Sequence, residues 1–257
     1  MSVKELVTPY FLDEFRPALA DEMPVDAVMN NVAPTAGPIQ TAIAPIHRDI
    51  ADFTRDCRLQ GLVPASLAGD CCASIPVLAG LQQAGLDPLL VWLDAHGDFN
   101  TWETSPSGFL GGMPLAMIAG RGEMSLMEEV GAKPLREDRI YLSDARDLDP
   151  EEAEALKGSA VHILGDLDKL LDRIPGGEQV YIHFDSDVIS SDEVPAQSYP
   201  VAGGPSSAEV ERFFGGVAEK SEIVGASMSA WNPSLDADGS SGRIVRACFG
   251  SLLRRIG

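Results

Sequence analysis

From about residue 60 to the C-terminus, short apolar runs alternate with longer amphipathic runs. This alternation predicts repeated units of strand and helix that build a mostly parallel sheet. The run PLLVW, residues 88–92, is apolar without interruption. A strand with one exposed face would instead alternate apolar and polar residues, so we expect helices on both faces of the sheet. The pattern therefore predicts the α/β class.

The same runs predict the individual elements. The predicted strands are residues 61–70, 87–96, 138–144, 160–166, 179–189 and 222–233. The predicted helices are residues 41–61, 74–85, 150–158, 167–177, 206–221 and 242–255. Residues 1–50 are rich in turn-formers and are expected to hold an early strand and then a surface segment. No linker divides the chain, which predicts a single domain over residues 1–257.

Charge narrows the possible partners. The chain has 19 Lys and Arg against 39 Asp and Glu, a net charge of -20. Such a field repels nucleic acid phosphates and anionic lipids, so neither nucleic acid nor a membrane is expected as a partner. It attracts metal cations and positively charged small molecules. The four cysteines lack the spacing of a disulfide framework and the N-terminus lacks the design of a signal peptide, which together predict a cytoplasmic protein.

Polar clusters follow several of the predicted strands, where parallel sheets bind their ligands. Asp94, His96 and Asp98 are spaced two apart, so in an extended chain they would point to one side. Asp185 and Asp187 follow another apolar run in the same manner. Carboxylates crowded at one sheet edge repel one another unless cations neutralise them, which indicates a pair of divalent metals. The alternative is that each acidic residue caps a turn or helix.

Mixed carboxylate and imidazole ligands favour Mn, Fe, Zn or Co over Ca.

Five motifs resemble those of the arginase, agmatinase and formiminoglutamase family, the ureohydrolases, and occur along the chain in the family's order. They are DAHGDFNT, FDSDVI, AGDCC, PAQSYPVAGG and WNPS. The resemblance runs from about Ala68 to the C-terminus.

The resemblance implies a three-layer α/β/α sandwich with a central, mostly parallel sheet, and a homo-oligomer. It also implies two divalent metals, chiefly Mn, that share a hydroxide which attacks the carbon of a C–N bond. Carried over by motif, Asp94 and Asp185 would bridge the metals and support that hydroxide. Asp98 would bind the first metal, and His96 and Asp187 the second.

Cys71 stands where the family motif has a histidine ligand of the first metal. A thiolate is a softer ligand, so Zn or Fe becomes possible at that site. The alternative for Cys71 is a small buried hydrophobic residue, and Cys72 would point away from the site. His183 shares a strand face with Asp185 and Asp187. It is a candidate ligand, an orienting hydrogen-bond partner, or a core histidine.

Two other family positions carry no functional group. Gly111 occupies the position at which the family motif has a proton-carrying histidine. Ala230 occupies the position at which the family motif has an acid that pairs with the substrate guanidinium. Neither side chain can transfer a proton or hold a buried cation. These losses argue against arginine and agmatine as substrates.

Several nearby residues are candidates for substrate contact. Glu103, Ser105 and Ser107 lie on the loop after the first metal motif, although such loops are often only connections. Asp149 either faces the cleft or caps the helix starting at Pro150, in a segment that also holds Arg146. Four further residues, which could wall a pocket or serve only packing and surface roles, are Trp102, Trp231, His47 and His162.

The sequence therefore predicts a binuclear-metal hydrolase. It would cleave a C–N bond of a small guanidino, amidino or amide substrate other than arginine and agmatine. The alternative is a family member that has lost catalysis and acts as a binding or regulatory protein, because the proton carrier and the substrate-pairing acid are both missing.

Overall fold

The computed structural model describes residues 2–21, 24 and 26–256. Its main sheet has eight parallel strands in the order β4-β1-β5-β10-β9-β6-β7-β8, and β2 and β3 form a separate antiparallel hairpin. The strands are β1 Val3–Thr8, β2 Tyr10–Phe11, β3 Glu14–Phe15, β4 Val28–Met29, β5 Val63–Ala68, β6 Leu89–His96, β7 Ile140–Asp147, β8 His162–Leu164, β9 Gln179–Asp185 and β10 Glu222–Ser229.

Helices pack on both faces of the sheet. They are α1 Pro17–Asp21, α2 Ile39–Ala42, α3 Ala44–Leu59, α4 Ser74–Gln83, α5 Pro114–Ile118, α6 Ser125–Glu129, α7 Pro150–Lys157, α8 Leu167–Arg173, α9 Ser207–Lys220 and α10 Ser240–Ile256. The predicted helix over 41–61 begins earlier and is divided at Ile43 into α2 and α3. Within the described ranges, none of the helices has both the length and the apolar character needed to cross a bilayer.

Strand β6 shows why the sheet is covered on both sides. Leu90 and Trp92 belong to one buried apolar cluster, which α3, α4 and α5 complete. Val91 and Leu93 point the other way, into a second cluster with α8, α9 and α10. Successive side chains of a strand point to opposite faces, so an uninterrupted apolar run supplies both cores. The predicted three-layer α/β/α architecture is confirmed.

The predicted strand boundaries extend too far at two places that matter for the site. Strand β9 ends at Asp185, and Ser186–Val188 form a 3₁₀ turn in which Asp187 N donates to Asp185 Oδ1 at 2.8 Å. Strand β10 ends at Ser229, and the next residue, Ala230, has a φ of 65°. The sequence gives no sign that β9 ends at Asp185, because the turn residues that follow, Ser186–Val188, are buried like the strand itself.

Candidate active site

The polar clusters of the sequence meet at one edge of the sheet. Strands β5, β10, β9 and β6 are consecutive neighbours, and their carboxyl ends surround a cavity of about 390 Å³. This strand-end cavity has the size expected of a small-molecule site. Six candidate ligands lie together in its floor and are called the ligand cluster below: Cys71, Asp94, His96, Asp98, Asp185 and Asp187.

Asp94 lies at the centre of this cluster. Its Oδ2 accepts a hydrogen bond from Trp92 Nε1 at 3.0 Å, and its Oδ1 accepts one from the backbone N of His96 at 2.7 Å. Both contacts come from the same strand, so the carboxylate is fixed by local structure. Asp94 belongs to two groups whose ligand atoms lie within 4.8 Å of one another, one with His96 and Asp187 and one with Cys71 and Asp98.

The expectation that Asp94, His96 and Asp98 lie on one side of an extended chain is wrong. The register between β6 and β7 shifts between Asp94 and His96, and β6 ends at His96. Asp98 lies beyond the strand with a φ of 49°, in the left-handed region. The turn sends His96 towards Asp187 and Asp98 towards Cys71, so Asp94 serves both groups.

The group formed by Asp94, His96 and Asp187 is tightly connected. His96 Nδ1 is 3.1 Å from Asp187 Oδ2 and 3.4 Å from Asp94 Oδ1. Burial alone lowers the pKa of His96, but hydrogen bonds to Asp187 and Asp94 raise it to about 12. The backbone N of Ala95 also donates to Asp187 Oδ1 at 3.2 Å. The imidazole and the two carboxylates are therefore in direct polar contact.

Cys71 lies in the 3₁₀ turn Cys71–Ala73 that leads from β5 into α4. Its Sγ is 2.8 Å from Asp185 Oδ2 and 3.1 Å from Ser229 Oγ. Burial raises the pKa of the thiol, and the neighbouring carboxylates raise it further. Cys72 points elsewhere, with its Sγ 3.6 Å from the carbonyl oxygen of Leu110. Cys71 is therefore a member of the cluster by position.

His183 is buried behind the cluster. Its Nδ1 is 2.8 Å from Ser227 Oγ, its Nε2 is 3.3 Å from Ser229 Oγ, and its ring lies 3.9 Å from that of Trp92. Burial lowers the pKa of His183 to about 3, so it is neutral. Ser229 Oγ also donates to Asp185 Oδ2 at 3.3 Å. A ring nitrogen of His183, Cys71 Sγ and an oxygen of Asp185 also lie within 4.8 Å of one another. The arrangement therefore allows His183 to be a ligand or to orient Asp185 through Ser229.

The carboxylates of the ligand cluster lie close together and are buried. Burial raises the pKa of Asp98, Asp185 and Asp187, and their acidic neighbours add to the effect. Asp98 Oδ2 is buried and accepts no hydrogen bond from the described residues. An unpartnered buried oxygen is costly, and a cation between the carboxylates would satisfy it. The donor set of thiol, imidazole and carboxylate oxygens therefore fits divalent metal ions.

The candidate substrate residues divide into two groups. Ser105, Ser107 and Asp149 line the strand-end cavity, whereas Glu103 is exposed outside it and accepts a hydrogen bond from Thr101. Asp149 fills both roles considered for it, since it is the N-cap of α7 and its Oδ2 accepts from Asn100 Nδ2 at 3.0 Å inside the cavity.

Arg146 does not face the cavity floor. Its guanidinium pairs with Asp144 and donates to four backbone carbonyl oxygens, those of Asp187, Val188, Val201 and Ala202. It thereby ties the end of β7 to the turn that carries Asp187 and to the loop that follows. Arg146 is a positioning residue for the ligand cluster.

The remaining aromatic and histidine candidates serve packing. Trp102 packs against the core near α5, and Trp231 is buried with Arg246 5.3 Å above its ring. His47 is buried in α3, and His162 stacks on Tyr141 at 4.5 Å. None of these four residues lines the strand-end cavity.

The cavity walls contain residues that the sequence did not single out. Asp147 and Glu152 join Asp149 to form one side, which we call the acidic wall. Glu152 could have been found, because an acid three residues after a helix-capping Asp is a capping-box signal. Three rings from separate segments form the other side, which we call the aromatic rim: Phe11, Phe109 and Tyr199. No spacing in the sequence connects them.

The protein is thus a parallel α/β/α protein whose strand ends gather carboxylate, imidazole and thiol groups, a donor set suited to metal ions, in one cavity. Comparison with known proteins gives the family. The sequence profile described as "Arginase family" matches residues 13–253. The chain is 32% identical over 202 residues to an arginase of Bacillus subtilis (strain 168), covering 74% of this chain and 68% of the relative.

Two further comparisons agree. An arginase of Bacillus caldovelox is 30% identical over 224 residues, covering 82% of this chain and 75% of the relative. The crystal structure of arginase from Bacillus subtilis superposes with a TM-score of 0.83 at 25% identity, covering 98% of each chain. The chain belongs to the arginase family.

Proposed function

We propose that this protein is a binuclear-metal hydrolase that cleaves a C–N bond of a small guanidino, amidino or amide substrate. The observation that carries the proposal is the ligand cluster, whose ligand atoms form overlapping groups: Asp94 with Cys71 and Asp98, Asp94 with His96 and Asp187, and Cys71 with Asp185 and the buried His183. All six side chains line one cavity or lie buried beneath it. Membership of the arginase family supports the same reaction class.

The residues would divide between two ions as the motifs suggest. Asp94 and Asp185 would contribute to both ions, Cys71 and Asp98 would hold the first, and His96 and Asp187 would hold the second. The two ligand groups that contain Asp94, one with Cys71 and Asp98 and one with His96 and Asp187, support this division. Divalent ions bound there would lower the pKa of a shared water and so supply a nucleophile near neutral pH. We propose Mn as the usual ion, with Zn or Fe favoured beside Cys71 because a thiolate prefers softer metals.

The chain itself positions the carboxylates. Trp92 and the backbone of His96 orient Asp94, and Ser229 orients Asp185 and Cys71. Such fixed partners hold ligands in the geometry that metal binding needs. Neither Gly111 nor Ala230, which both line the cavity, can donate a proton or pair with a cation. This supports a substrate other than arginine or agmatine.

Metal content tests the proposal. Protein purified without chelator and supplied separately with Mn or Zn is expected to hold two equivalents by mass spectrometry, and Asp185→Ala is expected to hold fewer. One equivalent or none in the unmodified chain would contradict a binuclear site. A hydrolysis that survived Asp185→Ala would show that the reaction does not depend on the cluster.

Cys71 has its own test with a matched control. When Co is supplied in place of the other metals, the absorption spectrum is expected to show a thiolate-to-metal charge-transfer band. Cys71→Ser should abolish this band. Cys72→Ser, which alters the adjacent buried thiol facing Leu110, should leave the band intact. A band that persists in Cys71→Ser would exclude this thiolate as a ligand.

The second candidate function is a non-catalytic binding protein of the same fold. It is favoured by one observation, the absence of a polar side chain at both Gly111 and Ala230. Two bound metals without hydrolysis of any guanidine, amidine or amide offered would support this alternative.

A further inference from the structure

The aromatic rim brings together three rings from distant parts of the chain. Phe11 comes from β2, Phe109 precedes the 3₁₀ turn Leu110–Gly112, and Tyr199 lies on the loop after β9. The ring centroids of Phe11 and Phe109 are 6.0 Å apart and nearly parallel, and those of Phe109 and Tyr199 are 5.5 Å apart. Tyr199 is 50% exposed. The rim therefore forms a continuous apolar surface at the cavity mouth.

Phe109 and Gly111 compete for the same space. An ideal Cβ placed on Gly111 would lie 2.3 Å from Cε1 and 2.4 Å from Cζ of the Phe109 ring, closer than real Cβ contacts. The ring thus occupies the place where a side chain at position 111 would stand. At this point of the lining the cavity therefore presents the apolar Phe109 ring and no polar side chain from position 111.

The cavity lining is also acidic. It includes the acidic wall, Asp147, Asp149 and Glu152, and no Lys or Arg of the described residues lines the cavity. Apart from the proposed metal ions, an additional carboxylate on a ligand would therefore meet no cationic side chain of the lining, whereas a neutral arm or a cationic head is compatible with it. Aromatic rings also bind cations and other rings on their faces, and Arg16 lies over Phe11 at 5.2 Å.

We propose, on the basis of the hydrolase function above, that the aromatic rim selects substrates in which a planar amidine or guanidine head carries an aryl arm. The head would face the ligand cluster, and the arm would lie against Phe109 and Tyr199. The rim is then a specificity element, formed where the proton carrier was lost. An amino-acid arm with its carboxylate fits these walls poorly.

Benzamidine and acetamidine test the rim, because they share the amidinium head and differ only in the arm. Binding of each to the metal-loaded full chain is measured by calorimetry. Benzamidine is expected to bind more tightly, and 4-carboxybenzamidine more weakly than benzamidine. Loss of one ring contact corresponds to roughly a three- to tenfold change in affinity. Phe109→Leu should therefore reduce the benzamidine to acetamidine affinity ratio by about that factor.

Tyr199→Leu is the second variant, because a half-exposed loop residue can be changed without loss of the fold. Phe15→Leu is the matched control: Phe15 is 50% exposed on the same hairpin as Phe11 but lies outside the cavity lining. The ratio should fall in Tyr199→Leu and stay unchanged in Phe15→Leu. An unchanged ratio in both rim variants would overturn the inference.

Metal content of the same samples separates this inference from the proposed function. If the samples hold two equivalents of metal and the benzamidine to acetamidine affinity ratio is the same in the rim variants as in the unmodified chain, the aromatic selectivity is overturned and the proposed hydrolase function is not. Fewer than two equivalents with a ratio that falls in Phe109→Leu would overturn the binuclear site and leave aryl recognition standing.

Discussion

Replacing Asp98 by asparagine removes one charge from the ligand cluster while keeping the shape of the side chain. The backbone φ of 49° at this position suits asparagine, which tolerates the left-handed region well. In the unmodified chain without metal, Asp98 Oδ2 is buried without a hydrogen-bond partner among the described residues. An amide N–H there could instead donate to Asp94, which shares a ligand group with Asp98.

The expected change in stability follows from that geometry. A buried polar atom without a partner costs about 1–3 kcal/mol. In the presence of chelator, Asp98→Asn should raise the free energy of unfolding by about that amount, which corresponds to a rise in Tm of roughly 2–4 °C per kcal/mol. With metal this advantage should shrink or disappear, because a ligand at 100 times its Kd stabilises the chain by about 2.7 kcal/mol. The variant would lose that increment at the first site.

The dependence on pH has a defined sign. Burial and then the neighbouring Asp94 raise the pKa of Asp98 above its ordinary value of 3.8, so the folded chain binds this proton more tightly than the unfolded chain. The resulting stability is present below that ordinary value and is lost as pH rises through the raised pKa. In chelator, unmodified protein should therefore lose more stability on raising the pH than Asp98→Asn does.

Thermal unfolding in chelator and in excess Mn or Zn, followed by circular dichroism, measures both effects. Asp13→Asn changes an exposed carboxylate in the turn between β2 and β3 and should alter neither. If Asp98→Asn lowered Tm in chelator and kept the full metal increment, the cluster would not be the cation site inferred from its crowding.

Three further substitutions test other parts of the structure. Burial lowers the pKa of His47 to about 4, so the free energy of unfolding of the unmodified protein should fall by about 2 kcal/mol between pH 7 and pH 5. His47→Leu should not show this fall, and urea unfolding at each pH measures the difference. Gly80→Ala should lower Tm, since its Cβ would lie 2.4 Å from the carbonyl oxygen of Ala51; Gly250→Ala in α10, which meets only a flexible side chain, should not. Arg146→Lys should weaken metal binding by titration and speed proteolysis of residues 190–205, because one ammonium cannot donate to four carbonyls.

The fold was predictable because its signal is local and repeated. Continuous apolar runs indicated strands buried on both faces, and the amphipathic runs between them indicated covering helices. The early strand β1 and the order of the predicted strands and helices after residue 60 agree with that reading, but the short helices α5 and α6 between β6 and β7 were not predicted. The position of β10 inside the sheet was not predicted, since periodicity gives the elements but not their order across the sheet.

The site was predictable only in part. Asp94 and Asp185 end apolar strands, and such ends meet in a parallel sheet, so their proximity followed from sequence. The left-handed backbone conformation at Asp98 was not predictable, because the spacing of polar residues in the sequence does not specify backbone dihedral angles. The roles of Cys71 and His96 as ligands stay predictions until metal is measured.

The aromatic rim illustrates the limit of sequence reasoning. Phe11, on the short strand β2, and Tyr199, on the loop after β9, are 188 positions apart, and only the packed structure shows that both border Phe109. Loops carry recognition residues without periodic patterns, because they are positioned by the elements they connect.

The position of β10 has a consequence for how the ligand cluster assembles. It is the last strand in the chain, yet it lies between β5 and β9. It pairs with β5 on one side and with β9 on the other, so it joins the part of the sheet next to Cys71 to the part that holds Asp94, His96 and Asp185. All six members of the ligand cluster precede β10 in the sequence, so the cluster is expected to assemble only after β10 has paired with both neighbours.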